Sequence, residues 1–165
     1  MIGSPRSRAS TLEEVAYHEA GHVVVGHSLG VELASVDILR DGEGGNGHSV
    51  FNVPRWFRPS APLDERRRRY AEAVVITFLA GPIAEARIAG FSNLEGSGYD
   101  LDAVAREWLR LLEPPERHEA RLAGLSQQAQ QLVDQNWPAI EKLARALLER
   151  RRLTGAEALQ LLEAS

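Results

Sequence analysis

At 165 residues, 44% apolar and 25% charged, the chain has the length and composition of one ordinary globular domain, with enough apolar material for a sizeable core. Its formal charge of -4 offers no electrostatic footprint for nucleic acid or an anionic membrane surface. It has no cysteine, which excludes disulfides and thiolate metal sites, so any metal must be held by His, Asp or Glu.

Residues 1–9 have no apolar period and read as a flexible N-terminal tail, leaving 10–165 as the domain. No charged-then-apolar signal segment opens the chain. The longest mostly apolar run, 71–86, is interrupted by Glu72, Gly81, Pro82 and Glu85 and is too short to span a bilayer. A cytoplasmic location is therefore expected. Ser10 with Glu13, or Thr11 with Glu14, has capping-box spacing and opens a first helix that Gly30 should stop. Leu33–Leu39 and His48–Val53 hold β-branched residues in weak alternation around a glycine-rich stretch, 41–47, which reads as a hairpin, the expected part of a small three-stranded sheet. Pro54 and Pro59 frame an irregular loop whose Trp56 either lines a cleft or pins the loop to the core.

A long helix is predicted over Leu63–Ala89, with Asp64 and Glu65 in a first turn where negative charge meets the positive end of the helix dipole. Arg66 to Arg69 at its start read as a solvated face beside acidic neighbours. Pro82 lies within the pattern, removes a backbone donor and should kink the helix. After a loop over 90–98, Tyr99 to Asp102 opens a helix that Pro114 and Pro115 end. Residues 116–135 are helical in composition, Pro138 restarts or bends the helix, and the pattern continues to Arg152. Thr154 with Glu157 caps a last short helix to Leu162. The fold class expected is α+β, mainly helical, with a small sheet or hairpin beside the first helix.

That first helix carries His18-Glu19-Ala20-Gly21-His22, an H-E-x-x-H motif. Residues four apart share a helix face, so both imidazoles can address one point, and a zinc ion accepts nitrogen ligands there. Glu19, beside the metal rather than on it, is placed to act as general base for a water. Two surface histidines on an amphipathic helix would give the same letters. The small apolar neighbours and the downstream carboxylates argue instead for a metal site. His27 is about 140° around the helix from His22 and points elsewhere. His118 sits in a charged helix and His48 on a strand, and neither is a strong candidate for third ligand. Glu85 could ligate, or could accept a hydrogen bond from a ligand histidine. Asp100 and Asp102 stand at a helix start and point to nearly opposite sides, so at most one can reach the metal.

The chain resembles the peptidase domain of the FtsH-type zinc metalloproteases. His-Glu-Ala-Gly-His corresponds to His18–His22, the family's Gly-Gly-Arg-x-Ala-Glu-Glu segment is similar to Ala80-Gly81-Pro82-Ile83-Ala84-Glu85-Ala86, and its Ser-Thr-Gly-Ala-x-Asn-Asp-Leu segment is similar to Gly96-Ser97-Gly98-Tyr99-Asp100-Leu101. The resemblance implies zinc held by His18, His22 and Asp100, Glu19 as catalytic base, and endopeptidase activity on unfolded or small polypeptides. Pro82 departs from the family pattern, as does a shortened segment between Leu112 and Gln127. No phosphate-cradling glycine-rich loop followed by Lys-Ser/Thr is present. The partner implied is a polypeptide substrate; a homo-oligomeric assembly and an ATPase on a separate chain stay open, since the departures weigh against the family's ring and motor. Two other functions fit the same residues: a zinc-binding domain that regulates or docks without cleaving, and a gluzincin-type peptidase with Glu85 as third ligand.

Overall fold

A computed structural model describes residues 10–39, 47–58, 62–90 and 103–164. The expected tail, the glycine-rich hairpin connection up to residue 46, the loop after Gly90 and the positions of Asp100 and Asp102 lie outside the described residues. Among the described residues the order is α1 (Leu12–Ser28), β1 (Glu32–Asp37), β2 (His48–Asn52), α2 (Glu65–Ala89), α3 (Ala103–Leu112), a 3-10 turn (Pro115–Arg117), α4 (His118–Gln135), α5 (Trp137–Arg150), β3 (Arg152–Thr154) and α6 (Gly155–Glu163). The fold is α+β and mostly helical, with one small antiparallel sheet, as composition and periodicity predict. No helix among the described residues is long and apolar enough to cross a membrane.

Helix α1 starts at the second of its two candidate caps. The Glu14 amide donates to Thr11 Oγ1 at 3.1 Å and the Thr11 amide donates to Glu14 Oε2 at 2.8 Å, so two donors that the first turn leaves orphaned are satisfied reciprocally. The helix is buried around most of its circumference from Glu14 to Gly26, and Tyr17 stacks on Trp137 of α5 with ring centroids 5.4 Å apart. Its chief neighbour is α2, capped by the Asp64 carboxylate on the Arg67 amide and ended by Gly90 in the left-handed conformation, φ 74°. Helix α2 is a single helix through Pro82.

The approach of α1 to α2 is set by small residues. A Cβ on Gly21 would lie 2.7 Å from the Ala80 carbonyl oxygen and 2.8 Å from the Ala84 Cβ, closer than side-chain atoms come. Glycine inside a helix costs about 1 kcal/mol relative to alanine, and here that cost brings two backbones together.

The arginine run on α2 is absorbed locally. Arg66 covers the Trp56 ring at 3.9 Å, Arg67 is 3.5 Å from Asp64, Arg68 donates to the Leu112 carbonyl at 3.2 Å, and Arg69 pairs with Glu65. Phe57, rather than Trp56, fixes the 54–58 loop. It is 5% exposed and packs on Trp108 at a centroid distance of 4.8 Å.

The sheet order is β2-β1-β3, so β2 is an edge strand. Its third strand is three residues long and lies between two helices that periodicity alone runs almost together. Leu153 buries itself in the core, and Val36↔Leu153 and Ser35↔Thr154 set the register. Thr154 and Glu157 form the second capping box, with the Thr154 amide donating to Glu157 Oε2 at 2.7 Å.

Gly21→Ala tests the packing of α1 on α2. At an exposed helix position it would gain about 1 kcal/mol. Here the added methyl meets backbone that cannot swing aside, and a net loss of about 1–3 kcal/mol is expected in urea denaturation.

Candidate metal centre

Helix α1 places His18 and His22 one turn apart, with Glu19 between them on the adjoining face. One ligand atom from each of these three residues lies within 4.8 Å of the other two. The two imidazole rings meet edge to face, with centroids 4.7 Å apart and planes at 84°.

What aims the rings comes from α2. His22 Nδ1 is 2.8 Å from the Thr77 carbonyl oxygen, and a carbonyl can only accept, so Nδ1 carries the proton and Nε2 keeps its lone pair. His18 Nδ1 is 2.7 Å from Glu85 Oε2, and against an ionised carboxylate it too is the donor, which leaves Nε2 as its free ligand atom. Glu85 is held in turn by Ser10, whose Oγ donates to Oε1. Gly81 lies flat against the His22 ring, where a Cβ would overlap it, and Phe78 closes another side with its centroid 5.6 Å away.

Burial shapes the electrostatics. The pKa of His22 falls from its ordinary value to about 3, first because its site excludes water and next because His18 is close, so the ring stays neutral, the form that binds a metal. Glu19 is 5% exposed, and burial pushes its carboxyl upward, opposed by His18 and by a hydrogen bond from Ser49 Oγ to Oε2. Two imidazole nitrogens beside a buried carboxylate are a donor set that suits a borderline divalent cation such as zinc, with further positions left open.

The predicted site residues fall as follows. His18, Glu19 and His22 come together. Glu85 takes the role of acceptor behind His18, with both of its oxygens engaged. Asp100 lies outside the described residues. His27 is exposed, His48 faces Asp37 at 3.5 Å, and His118 Nε2 is 2.7 Å from the Glu113 carbonyl. Three contributors escaped the sequence reading: the Thr77 carbonyl, Ser49 and Ser10. A backbone carbonyl has no residue signature, although Thr77, Gly81 and Glu85 recur at a spacing of four and so share one stripe of α2.

No family model matches the chain. It is similar to the ATP-dependent zinc metalloprotease FtsH 1 of Symbiobacterium thermophilum, 35% identical over 195 residues that take in 98% of this chain. It is also similar to the ATP-dependent zinc metalloprotease FtsH of Metamycoplasma arthritidis, 29% identical over 114 residues and 64% of this chain. The chain spans 31% of the first relative's length, and the second match takes in 14% of that protein. These similarities relate the chain to a zinc metallopeptidase family.

Glu85→Ala removes the acceptor behind His18 without removing a metal-facing nitrogen. Zinc affinity, read by chelator competition, should fall about 10- to 100-fold, the usual effect of losing such a partner. Loss of all binding would instead make Glu85 a direct ligand.

Proposed function

We propose that the chain is a zinc-dependent metalloendopeptidase that hydrolyses peptide bonds in unfolded or small polypeptides. The observation that carries this reading is the cluster of His18, Glu19 and His22, whose ligand atoms lie within 4.8 Å of one another, with both imidazole Nδ1 atoms occupied by Glu85 and Thr77 so that Nε2 is the donor left on each ring. Asp100 is the proposed third ligand. Among the described residues no other His, Asp or Glu joins the cluster, and the similarity of 96–101 to the family segment selects Asp100.

Bound zinc would polarise the scissile carbonyl and lower the pKa of a water to about 7. The chain's own residues supply the rest. Glu19 takes a proton from the attacking water at its carboxylate and delivers it to the leaving amide nitrogen. His18 and His22, locked by their Nδ1 partners, hold fixed directions throughout.

The substrate has a place to lie. Strand β2 is an edge, and main-chain pairing grips an extended chain of any sequence. Beside it opens a cavity of about 250 Å³ lined by Val31, Phe51, Tyr70, Val74, Phe78 and Trp108, apolar and large enough for one bulky side chain. Only an unfolded segment offers both free main-chain groups and a free side chain. ATP dependence is stated for the two relatives as whole proteins, and the shared stretch would contribute hydrolysis; a separate ATPase would act by delivering unfolded chains.

Two measurements test this. Glu19→Gln should keep its zinc, by metal analysis, and lose casein cleavage by at least about a hundredfold. Undiminished cleavage would remove Glu19 from the mechanism, and a zinc-loaded wild type that cleaves no unfolded substrate would favour a non-proteolytic zinc domain. Cleavage products of a denatured protein mixture, mapped by mass spectrometry, should cluster beside Leu, Phe and other large apolar residues, with about tenfold enrichment over Asp or Lys.

A further inference from the structure

Glu19 is a buried carboxylate with little to hold it. An ionised carboxylate at 5% exposure needs hydrogen-bond donors, and among the described residues it has one, the hydroxyl of Ser49 on Oε2. The start of β2 is moulded to the same side chain. A Cβ on Gly47 would come within 2.5 Å of Glu19 Cγ and Oε1, so only glycine lets the strand pass this close.

The strand alternates. His48, Val50 and Asn52 face outward, whereas Ser49 and Phe51 face inward. Phe51 continues the same support one step along. Its ring lies against Gly26 of α1, where a Cβ would sit 3.1 Å from Cε1, and meets Phe78 at a centroid distance of 6.1 Å, the ring that backs His22. The inward face of β2 therefore touches Glu19 directly and His22 through Phe78.

We propose that Ser49 is a positioning residue for the base: its hydroxyl fixes the rotation of the Glu19 carboxylate, so that the edge strand which receives the substrate also aligns the group that activates the water. This rests on the endopeptidase reading above. A carboxylate free to rotate in its cleft spends part of its time turned from the water, and the loss falls on the chemical step and not on substrate binding. Ser49 Oγ holds Oε2, and the Gly47 backbone passes close to Cγ and Oε1 of the same side chain.

The test uses the full chain as Ser49→Ala and Ser49→Thr. With zinc bound and a quenched fluorescent peptide as substrate, Ser49→Ala should lower kcat about tenfold with KM and zinc content unchanged, since the main chain of β2 is intact. Ser49→Thr, which keeps the hydroxyl and suits a strand, should restore kcat to within about threefold of wild type. A second readout needs neither metal nor activity. In the metal-free protein at fixed pH, the 13C line of the Glu19 carboxyl carbon, assigned by its loss in Glu19→Gln, should move in Ser49→Ala and return in Ser49→Thr. An unmoved line in Ser49→Ala would overturn the proposal, as would equal losses of kcat in both variants, which would point to packing. A wild type that cleaves nothing would refute the endopeptidase reading alone, and the carbon line would still decide the role of Ser49.

Discussion

The site depends on how closely α2 can lie against α1. Thr77, Gly81 and Glu85 fall on one stripe of α2, and His22 and His18 fall on one stripe of α1 running the opposite way, so His22 meets Thr77 and Gly81 while His18 meets Glu85. Hydrogen bonds of 2.7 and 2.8 Å at both ends of this contact require the helix axes to be close between them. Gly21 against Ala80 and Ala84 provides that closeness. A single methyl inserted at this crossing would act on two imidazoles at once, and helix packing and ligand geometry are one constraint here.

Helix α2 buries His22 and the start of β2 covers Glu19, and that burial accounts for the electrostatics. Burying a histidine penalises its charged form, and burying a carboxylate does the same, so His22 and Glu19 are both pushed toward neutrality. For His22 this is the form a metal needs. For Glu19 burial favours the protonated carboxyl, and nearby His18 and the Ser49 hydroxyl oppose that shift. A more exposed motif would keep its spacing but lose these shifts.

Much of this was legible in the chain because it is local. The spacing of His18 and His22 is a helix property, the capping boxes at Thr11 and Thr154 are contained within four residues, and the hairpin pattern survives in β1 and β2. What was not legible is long-range or carried by backbone. Glu85 stood open between ligand and acceptor because only the fold shows which nitrogen of His18 it meets. Strand β3 is too short to have a period, and Leu153 is recognisable as strand only once β1 lies beside it. Phe57 and Trp56 are adjacent aromatics, and nothing in their order says that Phe57 turns inward while Trp56 lies under Arg66.

The edge strand shows how site and sheet constrain one another. Among the described residues the outer edge of β2 pairs with no strand, and Val50 and Val53 beside it are 50% and 55% exposed; such an edge invites association with any extended chain, and proteins usually blunt it with charge, proline or brevity. Strand β2 is short, at five residues, and Pro54 follows just beyond it, but neither Val50 nor Val53 is replaced by a charge. The inward side of the strand has no freedom to compensate, because Ser49 is committed to Glu19 and Phe51 to Phe78, while Gly47, just before the strand, also lies against Glu19. The outer side chains of β2 stay exposed while the inner ones are fixed against the motif. The alternation of a strand, with successive side chains on opposite faces, is what allows five residues to meet both demands.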